Sequence, residues 1–130
     1  MQNLAQRDDA TLIDCELRTL DSVLDWLPPH AQVDFLKCDV EGNELFVLQG
    51  GLELLSQHKP VLLCELLRKW AAAFGYHPNE AIDLLRSLGY KAYTVAPAGR
   101  LAEFSSIDDD TIQTNFFFVH PYSKLCDIAS

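Results

Sequence analysis

Two apolar runs in this chain end in carboxylates. The first, Val33 to Val40, carries Asp39 at its end, with Glu41 in the following turn and Glu44 in the first turn of the next helix. The second, Val61-Leu62-Leu63-Cys64-Glu65, finishes on Glu65. In open α/β sheets, ligands collect beyond the carboxyl ends of the parallel strands, where helix N-termini and connecting loops converge. Two neighbouring strands ending in Asp39 and Glu65 would therefore aim both carboxylates at one crevice, suited to orienting a ligand and taking a proton from a hydroxyl. A last strand running antiparallel would bring its first residue, Asn115, to the same rim. Each member also has a plainer reading. Asp39 can cap the helix that follows it, and Glu65 can be a solvated strand end. Asn115 can satisfy loop backbone groups. Glu44 reads as structural, placed where the helix macrodipole favours an acid. Lys37, inside an apolar run, must meet a carboxylate or reach solvent along its stem.

These residues need a βαβ frame. Leu12 to Thr19 alternates loosely and predicts a short strand, and Asp21 is placed to cap a helix from about Ser22 to Trp26, stopped by Pro28-Pro29. Val33 to Val40 is near-continuously apolar, as in a parallel strand buried on both faces. Gly42 turns the chain. Leu45, Leu48, Leu52 and Leu55 then recur at helical spacing, with Gly50-Gly51 expected to break that helix in two. Pro60 opens the second strand. Asn79 is the predicted N-cap of a helix carrying Ile82, Leu85 and Leu88, and Gly89 its left-handed stop. Lys91 to Val95 and Arg100 to Phe104 form a predicted hairpin about Ala96-Pro97-Ala98-Gly99. Ser105 to Thr114 reads as a loop, and Asn115 to His120 as a final buried strand.

Composition narrows the function classes. A chain of 130 residues with 48% hydrophobic and 22% charged residues suits one globular domain with a modest core. Nineteen acidic against ten basic residues give a net charge of -9 without a Lys/Arg cluster, which disfavours nucleic acid as a partner. No apolar run reaches the roughly 20 residues of a bilayer-spanning helix, and the polar start Met1 to Asp9 lacks a signal-peptide core, so the expected location is cytoplasmic. Cys15, Cys38, Cys64 and Cys126 form no C-x-x-C pair and read as reduced structural residues. His30, His58, His77 and His120 show no metal-ligand spacing, so no metal site is expected.

The segment Thr19-Leu20-Asp21-Ser22, followed by Asp34-Phe35-Leu36-Lys37-Cys38-Asp39-Val40-Glu41-Gly42 and then Glu44, Val47-Leu48 and Gly50, resembles the pattern of FkbM-family methyltransferases. Pro60 with Glu65, Gly89-Tyr90 and Thr114-Asn115-Phe116 extend the likeness more weakly. The resemblance implies an α/β, Rossmann-like class I methyltransferase fold, here its C-terminal half: a mixed sheet with an antiparallel last strand and helices on its faces. It implies S-adenosylmethionine as cofactor and O-methylation of a hydroxyl on a sugar or other small molecule. Asp39 and Glu65 are then the candidate catalytic residues, with Asp39, Glu41 and Gly42 beside the cofactor.

Such enzymes place a glycine-rich turn after their first strand and a ribose-holding acid after their second. No G-x-G lies near this N-terminus, so the expectation is a truncated domain beginning near the third strand, with an open edge beside the Asp39 strand. That edge would take a complementing N-terminal half or a second copy of the chain. Two rival readings follow: a non-catalytic interaction module that dimerises through the edge, and a magnesium enzyme using Asp39, Glu41 and Glu65 as oxygen ligands.

Overall fold

Five strands, Phe35–Cys38 (β1), Val61–Glu65 (β2), Lys91–Val95 (β3), Leu101–Phe104 (β4) and Asn115–Val119 (β5), form one mixed sheet in the order β1-β2-β5-β3-β4. The computed structural model describes residues 9–130; the polar leader lies, but for Asp9, outside the described residues. β1 and β2 run parallel, with Phe35 opposite Val61 and Cys38 opposite Cys64. β5 enters antiparallel between β2 and β3, setting Asn115 against Glu65 and Phe117 against both Leu63 and Tyr93. The β3–β4 hairpin closes about the predicted Ala96–Gly99 turn.

Partners in register share a face of the sheet, because side chains alternate along each strand. Leu36, Cys38, Leu62, Cys64, Phe116, Phe118 and Ala92 lie on one face and pack into a single core with Leu45 and Leu48 of α1 (Glu44–Gln49) and Ala81, Ile82 and Leu85 of α4 (Pro78–Ser87). On the other face Phe35 and Lys37 are exposed, and Leu63, Phe117 and Tyr93 are half-buried. The expectation of a first strand buried on both faces is therefore corrected. β1 lies at the sheet edge, paired only with β2, and its outward face is left to solvent.

Between β1 and β2, Gly50-Gly51 divides the helical run into α1 and α2 (Leu52–His58), as the sequence predicts. Leu12 to Thr19 forms no strand, and a 3-10 helix, Leu20–Asp25, takes the place of the expected helix over Ser22 to Trp26. Asp21 does not cap that element. Its carboxylate instead accepts from Leu54 N at 2.8 Å and Glu53 N at 3.3 Å, supplying the start of α2, while its own amide donates to Gly50 O. α4 begins two residues earlier than predicted. His77, not Asn79, is its cap: His77 Nδ1 accepts from Asn79 N, Glu80 returns a carboxylate to His77 N, and Pro78 occupies the first turn, where its missing N–H costs nothing. Asn79 is used otherwise. Its amide exchanges two hydrogen bonds with the backbone of Ile107, pinning the long loop before β5. Gly89 follows at φ +94°, the left-handed stop read from the sequence.

Candidate functional site

The chain leaves β1 through a turn in which almost every polar group is held. Glu41 is left-handed at φ 51°, and Gly42 follows at φ 108°. A Cβ on Gly42 would come within 2.6 Å of the Trp70 carbonyl and 2.8 Å of the Phe74 ring, so only glycine fits beneath α3 (Arg68–Ala73). Glu44 is buried, 3% exposed, yet fully engaged. One carboxylate oxygen accepts from Val40 N and the other from Gly42 N, both at 3.0 Å. Glu44 is thus structural, as the sequence suggested, but its main partner is the turn's own backbone. Tyr76 seals the outer side: its hydroxyl donates to Gly42 O at 2.7 Å and accepts from Leu45 N at 3.4 Å.

On this fixed turn and the end of β2 stands the polar rim. Alternation puts Asp39, Glu65 and Asn115 on one face across three consecutive strands, since Cys38 opposes Cys64 and Glu65 opposes Asn115. Hydrogen bonding with Asp39, then partial burial and the negative charges of Asp39, Glu44 and Glu41, push the Glu65 carboxyl above its ordinary range. Glu65 therefore holds its proton more tightly than a solvated glutamate. Asp39 does not act as a helix cap; the N-cap position of α1 is Asn43. Asn115 is exposed, its amide 3.4 Å from the Thr114 hydroxyl. Lys37 is exposed on the same face.

A cavity lies beside this rim without including its carboxylates. This trough of about 1510 Å³ runs between the segment 12–26 and the motif turn, bordered by Leu12, Leu17, Trp26, Val40, Asn43 and Phe46 among others, but by none of Asp39, Glu41 or Glu65. Among the described residues no three His, Cys, Asp or Glu side chains are grouped as a metal site. No helix among them is long and apolar enough to cross a membrane.

Tyr76 and α3 escaped the sequence reading. Arg68-Lys69-Trp70-Ala71-Ala72-Ala73 lacks a wide apolar stripe, although its three alanines are strong helix formers. Nothing in the local sequence signals that Tyr76 reaches back 34 positions to Gly42.

A mixed sheet with its helical core on one face and acidic residues gathered at the carboxyl ends of its parallel pair defines an α/β protein with an acidic rim. Residues 1–92 match the methyltransferase FkbM domain, and the chain belongs to that family. The match contains Asp39, Glu41, Gly42 and Glu65 and ends within β3, before Asn115. Nothing among curated proteins or solved structures matches the chain.

Proposed function

We propose that this chain forms one wall of an S-adenosylmethionine-dependent O-methyltransferase site that acts on a hydroxyl of a sugar or other small molecule in the cytoplasm. The observation that carries this reading is the register of β1 and β2, which brings the carboxylates Asp39 and Glu65 together at the ends of adjacent parallel strands within the matched domain. The parallel pair followed by an antiparallel strand inserted in the sheet is the arrangement expected of the C-terminal half of a Rossmann-like methyltransferase, and supports treating the chain as a single partial domain of that kind.

The rim residues fit the cofactor by charge. Asp39, Glu41 and Glu65 are acidic, and the donor end of S-adenosylmethionine bears an ammonium and a sulfonium. When bound, the cofactor supplies an electrophilic methyl group on that sulfonium. Asp39 orients the reacting groups, and Glu41 and Gly42 shape the turn beside them. An acceptor hydroxyl needs a base as its oxygen becomes the nucleophile. Glu65, with its raised proton affinity, and the Asp39 it contacts are the carboxylates placed to take that proton. Most of the acceleration then comes from alignment in a site closed to water.

Calorimetric titration with S-adenosylmethionine, followed by a methyl-transfer assay on a panel of small hydroxylated acceptors, tests this reading. Asp39→Ala is expected to weaken binding and turnover at least tenfold; unchanged affinity and turnover would remove Asp39 from the site. One observation favours a second reading. β1 is an edge strand whose outward Phe35 is 47% exposed, an edge suited to pairing with a complementing N-terminal half or a second copy. If the chain is only an interaction module, it assembles through that edge, measured by light scattering, and gives a silent titration.

A further inference from the structure

Two of the four cysteines meet inside the sheet. Cys38 ends β1, Cys64 stands directly opposite on parallel β2, and both side chains point into the helix-covered face. Adjacent strands lie about 4.8 Å apart, within the roughly 4.4–6.8 Å between Cα atoms that a disulfide spans. Both are free thiols in this structure. Neither has a part in the proposed methyl-transfer rim, which occupies the opposite face.

We infer that Cys38 and Cys64 form a redox-active dithiol, which a hydroperoxide converts into a disulfide bridging β1 and β2. The two thiols have unequal roles. Cys38 belongs to the edge strand and keeps 3% of its surface exposed, whereas Cys64 is fully enclosed between β1 and β5. The neighbouring Cys64 thiol lowers Cys38 below the ordinary thiol value despite its burial, and the same pairing, with burial, raises Cys64 well above it. Cys38 is thus the sulfur that carries thiolate character, the form that reacts with peroxide. Its sulfur attacks one peroxide oxygen, the O–O bond breaks, and the other oxygen leaves as water, giving a sulfenic acid. The Cys64 sulfur then displaces the hydroxyl, which departs as a second water carrying the Cys64 proton. Two thiols lose two electrons in total, and hydrogen peroxide is reduced to two waters.

Cys15 is exposed and Cys126 partly so, and either would obscure the result. The test therefore uses the chain carrying Cys15→Ala and Cys126→Ala, which leaves the core untouched, treated with hydrogen peroxide and then alkylated under denaturing conditions. Alkylatable thiols are expected to fall from two to none, the intact monomer to lose two hydrogens, a Cys38–Cys64 peptide to appear, and dithiothreitol to restore both thiols. Cys64→Ser in the same background is expected to stop at a sulfenic acid on Cys38 that dimedone captures. Two thiols still alkylatable under peroxide that oxidises Cys126 in the unsubstituted chain would overturn the inference. So would oxygen adducts without hydrogen loss, or a disulfide only between chains.

Discussion

The centre of the sheet and its β1 edge are built on opposite terms. At the centre, β2, β5 and β3 bury Leu62, Phe116 and Phe118 completely. At the β1 edge only the inward face packs into the core; the outward face carries Phe35 and Lys37 into solvent, and hydrogen bonds fix the turn that follows. The difference separates tasks: the centre supplies stability, and the edge spends buried polar groups on presenting Asp39 and Glu65. Truncating a central and an edge phenylalanine sharpens the contrast most. Phe118→Ala should destabilise by about 3–5 kcal/mol, while Phe35→Ala, at a half-exposed position, should stay within about 0.5 kcal/mol. Denaturant midpoints measure both; comparable losses would mean that the outward face of β1 is covered in solution.

The turn after β1 is the edge's one position with no slack. Gly42→Ala must adopt a left-handed conformation at about 1–2 kcal/mol and crowd the Trp70 carbonyl and Phe74 ring at about 1–3 kcal/mol. A total of about 2–5 kcal/mol is expected in chemical denaturation, with a centre below that of Phe118→Ala. A neutral result would show that α3 yields easily. Glu44→Gln follows. Its amide nitrogen would face a backbone N–H where a carboxylate oxygen now accepts, leaving one buried donor unsatisfied for about 1–3 kcal/mol. Amide exchange at Val40 and Gly42 should quicken in that variant, and unchanged protection at both would dismiss Glu44 as the clamp of the turn.

The sequence exposes the ends of elements better than their surroundings. Asp39 and Glu65 were legible as neighbours because each closes an apolar run, and Gly50-Gly51, Gly89 and the Ala96–Gly99 turn punctuate the chain through backbone chemistry that acts locally. Partner choice was not legible. Asp21 stands where an N-cap of its own segment would, yet serves α2, and Asn79 loses α4 to His77 because its amide is committed to Ile107. Leu12 to Thr19 alternates like a strand, but β1 pairs only with β2 in the sheet, and alternation without a partner makes no ladder. That Cys38 faces Cys64 depends on register, which no spacing of cysteines reveals.

The smallest expected effect probes the edge's chemistry rather than its packing. Folding raises the Glu65 carboxyl above its ordinary 4.5, chiefly through the hydrogen bond with Asp39. The folded state thus favours the protonated form. Its contribution is complete below the ordinary value and is lost as pH rises through the raised folded value. Glu65→Gln keeps a donor toward Asp39 and removes the titration. The difference in thermal midpoint between variant and parent should therefore shift in the variant's favour as pH increases from about 4 to about 8. The neighbouring charges of Asp39, Glu41 and Glu44 remain in both proteins and largely cancel in the comparison. Parallel pH profiles would show that Glu65 does not couple to Asp39 in solution, and would remove the carboxylate pairing on which the methyl-transfer proposal rests.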